Sequence, residues 1–387
     1  MYEYFPDNYA WSLTTAMMFD EVGTFCEPDE ILQKLKPVAG AAKSIANEEW
    51  HQQFTALAER IERLGMRDEA ERHLLSAARK YHRAGLYYLR AERFMDHGDP
   101  REIRTYKKGI GLYRKARELA RDPVEYVEID FKGGKLPAIF IKAMGEGPRP
   151  CMVFLQGFDS LKEWFFPVIG TQFRERGVSL LVVDQPGAGG ALRLYGLAGD
   201  AETEHPAGAC VDYLETRKDV NKGKIGVMGV SLGGYYAPRA AAFEKRFKAC
   251  ICWGAIWDFS EHFERVMQDG RKAGSIPDMV KHAMWVFGQD TPEGAFKVAK
   301  QLATKHFAER IECPLFIVHG ENDRQIPVQS AYNLYEAATK SAAKKLKLFT
   351  ISEGGAEHCQ TNNRTLAGDV MSDWSAETFG AAPNGAF

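Results

Sequence analysis

The sequence predicts an α/β fold: a mostly parallel central sheet preceded by an all-helical module. Three features carry this reading. Apolar positions recur at helical spacing through the first third of the chain. The period changes to two at Val124, and a succession of short apolar runs follows, each ending in a glycine-bearing loop.

In the first third, Trp50, Phe54, Leu57, Ile61 and Leu64 place a helix over residues 48–64. Ala70, Leu74, Ala77, Ala78, Tyr81, Leu86 and Leu89 place another over 67–93, and a third covers 102–120. Such pairs look like tetratricopeptide hairpins, but no fixed period is sustained, which disfavours a repeat array. The aromatics Trp50, Tyr81, Tyr87, Tyr88 and Phe94 exceed what thin helical pairs bury among themselves, so most are expected to pack against the following domain. Residues 1–121 are therefore read as one helical module and 122–387 as a catalytic domain.

From Val124 the alternation Val124-Glu125-Tyr126-Val127-Glu128-Ile129-Asp130-Phe131, a Gly133-Gly134 turn and Leu136-Pro137-Ala138-Ile139-Phe140-Ile141 read as a hairpin. Buried strands follow at residues 150–155 and 178–183. The second ends in Asp184-Gln185-Pro186-Gly187-Ala188-Gly189-Gly190, and its glycines do not fit a dinucleotide loop, since the third position of G-x-G-x-x-G falls on Leu192.

Ile225-Gly226-Val227-Met228 then leads into Gly229-Val230-Ser231-Leu232-Gly233, followed by the small-residue stretch Gly234-Tyr235-Tyr236-Ala237. This is strand, sharp turn, helix, and it lifts the Ser231 hydroxyl above the end of a strand. A serine needs a base, and the base needs an orienting acid, in the chain order Ser, Asp/Glu, His. The strand Leu315-Phe316-Ile317-Val318-His319-Gly320 delivers Asp323 in the loop behind it, and residues 346–351 deliver His358. Asp323 is read as the acid and His358 as the base; Glu321 and Glu357 are competing acids ranked below Asp323. The backbone N–H groups of Phe158, after the strand 150–155, and of Leu232 are read as the oxyanion donors. Gln156 stands where serine hydrolases with this nucleophile turn usually carry histidine.

Residues 257–311 exceed one crossover and are rich in aromatics, so they are read as a helical insertion over the strand ends, part of it lining a pocket. The 387 residues are 45% hydrophobic and 26% charged, with a formal net charge of −2. That balance disfavours nucleic-acid and anionic-membrane partners, and Lys107-Lys108 and Lys344-Lys345 are read as solvated helix faces. Seven cysteines without C-x-x-C pairing read as reduced residues of a cytoplasmic protein. No apolar run reaches the length of a membrane span, no leader is evident, and no cofactor or metal site is expected.

Taken with Tyr87-Tyr88-Leu89-Arg90-Ala91, Ser160-Leu161-Lys162-Glu163, Cys250-Ile251-Cys252-Trp253-Gly254 and Glu357-His358-Cys359, these motifs make the chain resemble the carbon–carbon bond hydrolases of the 2,6-dihydropseudooxynicotine hydrolase and fungal polyketide-shortening type. The resemblance covers most of the chain. It implies an α/β-hydrolase fold whose N-terminal helical domain acts as a lid, a small-molecule substrate held between the two parts, and a homodimer. It also implies substrate contacts among Tyr88, Lys162, Glu163, Trp253, Glu261, His262 and Glu264. The reaction expected is hydrolysis of a C–C bond beside a ketone in a β-diketone-like molecule. An esterase or acyltransferase is the rival on the same machinery, and a non-catalytic small-molecule receptor the rival of another class.

Overall fold

A computed structural model of the protein describes residues 3–158, 160–269 and 278–381; Asp159 of the motif after the oxyanion strand and residues 270–277 of the expected insertion lie outside the described residues. The chain divides into two compact units, with the change at Val124 and Glu125.

The first unit contains α1 (Tyr9–Val22), α2 (Cys26–Leu35), α3 (Lys43–Ala70), α4 (Leu74–Glu92) and α5 (Pro100–Ala120). The break expected near Gly65 lies instead at residues 71–73, where Arg72 takes a left-handed φ of 64°. Gly65 lies inside α3 and is a glycine where Tyr81 packs on the helix: a Cβ there would meet the Tyr81 ring at 2.9 Å. The aromatics of this unit have partners within it. Trp50 contacts Trp11, Phe54 and Phe94 at ring separations of 4.7, 4.5 and 5.0 Å. The hydroxyls of Tyr81, Tyr87 and Tyr88 donate to Glu69, Glu27 and Glu62. The reading from residue 48 onward left out α1 and α2, which supply Trp11 and Glu27.

Helices α4 and α5 approach at glycine. A Cβ on Gly85 would lie 2.8 Å from the Tyr113 nitrogen and 2.9 Å from the Gly109 oxygen, both backbone atoms that cannot swing aside, whereas Gly111 faces open space. Gly85→Ala is therefore expected to destabilise by about 1–3 kcal/mol. Gly111→Ala is expected to stabilise by about 0.5–1 kcal/mol, through the entropy that glycine loses in a helix. Thermal melts of the two variants should move in opposite directions.

The second unit is built on an eight-stranded sheet, β1 (Val124–Phe131), β2 (Gly134–Ile141), β3 (Arg149–Leu155), β4 (Ser179–Val183), β5 (Val220–Val230), β6 (Cys250–Trp253), β7 (Leu315–Gly320) and β8 (Lys344–Phe349), in the order β1-β2-β4-β3-β5-β6-β7-β8. Strand β2 runs antiparallel to β4, and the pairs from β4 through β8 are parallel. Around the sheet lie α6 (Thr171–Glu175), α7 (Gly189–Tyr195), α8 (Glu204–Thr216), α9 (Gly233–Phe243), α13 (Gln329–Ala337) and α14 (Arg364–Phe379). Between β6 and β7 come α10 (Phe259–Asp269), α11 (Met279–Val286) and α12 (Pro292–Ala299).

The hairpin turn sits one residue earlier than read. Lys132 and Gly133 both carry positive φ, 44° and 79°, as a tight two-residue turn that follows strand twist requires. The last strand begins two residues earlier than read, so Lys344 and Lys345 lie on a sheet edge and not on a helix face. Their charges guard that edge against pairing with another strand. Strands β3, β4 and β6 are almost wholly buried, which is why they read as continuous apolar runs. Among the described residues no helix is long and apolar enough to cross a membrane.

Candidate active site

The parallel strands end on one side, and the loops leaving β3, β5, β7 and β8 carry the residues singled out by sequence. Ser231 follows β5 directly, with a left-handed φ of 58°. A non-glycine residue held there is strained, and such strain persists only where the surroundings over-determine it. Here the Ser231 N–H donates to the Trp253 carbonyl at 2.8 Å, and the flanking glycines leave no space for a side chain. A Cβ on Gly229 would lie 2.1 Å from the Gly233 oxygen, and one on Gly233 would lie 2.7 Å from the Leu155 oxygen. Helix α9 starts immediately beyond, so its N-terminal dipole faces the serine.

His358 Nε2 lies 2.9 Å from Ser231 Oγ, and His358 Nδ1 lies 2.8 Å from Asp323 Oδ2. The other oxygen, Asp323 Oδ1, accepts the N–H groups of Gln325 and Ile326 at 2.8 and 2.9 Å. The carboxylate is thereby fixed with one edge for the loop and one for the imidazole. The rival acids are engaged elsewhere: Glu321 accepts the Ile351 N–H, and Glu357 accepts from Asn322 Nδ2 at 2.9 Å.

Burial pushes the Asp323 carboxyl up, but the charge of His358, its hydrogen bond and the His319 ring together hold it below the ordinary value. Burial would depress His358, yet the Asp323 carboxylate and, after it, the Cys359 sulfur outweigh burial and the pKa stands well above the ordinary value of about 6.5. Only neutral His358 can accept the serine proton. Activity therefore falls as pH drops through this pKa, and the acidic limb of a kcat/KM profile is expected to have its midpoint above pH 6.5. A midpoint near 5 would contradict the ion pair.

Gly157, on the loop after β3, is pressed against the serine: a Cβ there would lie 3.0 Å from Ser231 Cβ and 3.1 Å from the Val230 oxygen. Phe158 follows Gly157 in the chain, and Leu232 follows Ser231. The Phe158 ring packs against Phe259, His282 and Phe287 at 5.6, 4.8 and 5.8 Å.

The residues expected to contact substrate lie in different surroundings. Lys162 and Glu163 are buried and paired: Lys162 Nζ reaches Glu163 Oε1 at 2.7 Å and Asp184 Oδ2 at 2.8 Å, and the Asp184 carboxylate also takes the N–H groups of Lys162 and Gly190. Burial, together with the Asp184 charge, raises the Glu163 pKa against the pull of Lys162. Their charges tie the loop after β3 to the glycine-rich turn after β4. The Trp253 ring is wholly buried and donates from Nε1 to Gln360 Oε1 at 2.7 Å, on the turn that carries His358. Tyr88 is satisfied inside the helical unit by Glu62, with the Lys108 ammonium 4.7 Å above its ring. Glu261 and Glu264 are exposed on α10, whereas His262 points inward, 8% exposed, with Nδ1 2.7 Å from the Gln325 carbonyl.

Two site residues escaped the sequence reading. His319, fully buried at the end of β7, has Nε2 3.1 Å from the Ile326 oxygen and 3.7 Å from Asp323 Oδ2, while its Nδ1 accepts the Ala255 N–H at 3.2 Å. Its place directly before Gly320 on the strand leading to the acid was the available signal. His282, on α11, has Nε2 3.1 Å from the Phe158 carbonyl. Nothing in its local sequence separates it from the aromatic filling around it.

The prolyl oligopeptidase family model matches residues 170–381. The chain is 30% identical over 326 residues to 2,6-dihydropseudooxynicotine hydrolase of Paenarthrobacter nicotinovorans, covering 84% of this chain and 83% of that protein. It is 27% identical to 20-hydroxy-prefusarin hydrolase of Gibberella moniliformis, covering 88% and 90%. The crystal structure of 2,6-dihydroxy-pseudo-oxynicotine hydrolase superposes with a TM-score of 0.72 at 28% identity, over 87% of this chain and 91% of that one. The chain belongs to the prolyl oligopeptidase family and is an α/β-hydrolase enzyme of the 2,6-dihydropseudooxynicotine hydrolase type.

Proposed function

We propose that this enzyme is a serine hydrolase that cleaves the C–C bond beside a ketone in a β-diketone-like or polyketide-like small molecule. The observation that carries the reading is the hydrogen-bonded series Ser231 Oγ, His358, Asp323 at 2.9 and 2.8 Å, on a serine held in a left-handed turn. Ser231 Oγ adds to the ketone carbon as its proton passes to His358 Nε2, and the oxyanion lies against the N–H groups of Phe158 and Leu232. Collapse breaks the C–C bond, and His358 returns the proton to the departing carbon. Water, deprotonated by His358, then frees the acyl group as a carboxylic acid and regenerates Ser231. A carbanion leaves only when its charge is delocalised, so the leaving carbon must be flanked by a second carbonyl or its vinylogue. The likeness to 2,6-dihydropseudooxynicotine hydrolase and to fungal hydrolases supports this bond over an ester.

A matched pair of substrates tests it: a 1,3-diketone and an alkyl ester of the same acyl group. Release of carboxylic acid and methyl ketone from the diketone, abolished in Ser231→Ala, is the expected result. Turnover of the ester alone would make the enzyme an esterase, and transfer to an added alcohol in place of water would make it an acyltransferase.

A further inference from the structure

The helical insertion between β6 and β7 reaches both arms of the site through histidine side chains that the reaction itself does not use. His262 on α10 is bonded to the carbonyl of Gln325, the residue whose own N–H donates to Asp323 Oδ1. His282 on α11 is bonded to the carbonyl of Phe158, whose N–H is an oxyanion donor in the reading above. Both rings are nine-tenths or more buried, and each is one residue removed from a reacting group.

A carbonyl oxygen can only accept, so the geometry fixes the tautomers. His262 carries its proton on Nδ1 and His282 on Nε2. Burial drives the His262 pKa down to about 4, which keeps that ring neutral across the working range. The bonds differ in reach, since one nitrogen is next to the side-chain stem and the other at its far edge. An asparagine amide reproduces the first position and a glutamine amide the second.

We propose that His262 and His282 are positioning residues by which the insertion clamps the two catalytic loops, His262 holding the acid loop and His282 holding the oxyanion loop. The proposal rests on the assignment of Ser231, His358 and Asp323 as the triad. A clamp on the acid loop acts through the orientation of Asp323 and hence on the basicity of His358; the groups facing that pair are His319, Cys359, His262 and, beyond His262, Arg265. A clamp on the oxyanion loop acts on stabilisation of the tetrahedral intermediate and leaves the basicity of His358 alone.

The test is the second-order rate at which a fluorophosphonate labels Ser231, alongside kcat, KM and pH profiles on the diketone, in the full-length protein. Four variants are compared, His262→Asn, His262→Gln, His282→Gln and His282→Asn, each checked by thermal melt. The mismatched changes, His262→Gln and His282→Asn, are expected to lower kcat by roughly 10- to 100-fold, the scale of a displacement of about 1 Å in a reacting group, with KM within a few-fold. The matched changes, His262→Asn and His282→Gln, should recover most of that loss. The acidic limb should move to lower pH in His262→Gln and stay in place in His282→Asn. Equal rates for matched and mismatched variants, or a loss in KM alone, would overturn the clamp. Failure of the wild-type protein to label at Ser231 would instead overturn the triad beneath it.

Discussion

Ser231→Ala is expected to lower kcat by at least ~10³-fold while the melting temperature stays within a few degrees of wild type. The two halves of this expectation have separate causes. The hydroxyl is the atom that bonds to the substrate carbon, and its oxygen lies 2.9 Å from His358 Nε2, nearer than the Cys359 sulfur at 3.6 Å. The serine sits on a turn fixed by its own N–H bond to Trp253 and by the packing of Gly229, Gly233 and Gly157, none of which needs the hydroxyl. Steady-state turnover and a thermal melt on the same preparation check both halves. Activity within tenfold of wild type would remove Ser231 from the nucleophile's role.

Asp323→Asn is expected to cost about 10⁴-fold in kcat, and the structure says why so small a change should matter so much. The backbone N–H groups of Gln325 and Ile326 both point at Oδ1, so an asparagine must keep its oxygen there and turn its NH₂ toward His358. Nδ1 of the imidazole then becomes the acceptor and Nε2 carries the proton, which is the tautomer that cannot receive one from Ser231. Glu321→Gln and Glu357→Gln should remain within a few-fold of wild type, because those carboxylates bond Ile351 and Asn322 and not the imidazole. Greater sensitivity at either glutamate, by the same kinetics, would mean that the acid is misassigned.

Much of this was legible in the sequence. The sheet strands are short apolar runs because parallel strands buried on both faces need them, and the Gly-x-Ser-x-Gly turn is legible because each glycine meets backbone within 3 Å. The residues of the insertion were harder to assign. Helical periodicity separates the inward His262 from the exposed Glu261 and Glu264 only once the phase of α10 is known, and two glutamates beside a histidine do not reveal that phase. Lys162 and Glu163 entered as substrate contacts through the family resemblance alone. Lys162 pairs with both Glu163 and Asp184, the latter on a different strand end, in a buried cluster that no local pattern discloses. Pairings within the helical unit were hidden for a similar reason: Trp50 and Tyr87 find partners on α1 and α2, far away in sequence.

The central claim, that Ser231 is the residue that attacks a 1,3-dicarbonyl substrate, is met most directly by titrating the enzyme with a fluorophosphonate while following diketone hydrolysis, and then mapping the adduct by peptide mass spectrometry. The expected result is one adduct per chain, on Ser231, with turnover lost in proportion to labelling and with no adduct in Ser231→Ala. An adduct on another residue, or full diketone turnover after complete labelling of Ser231, would contradict it.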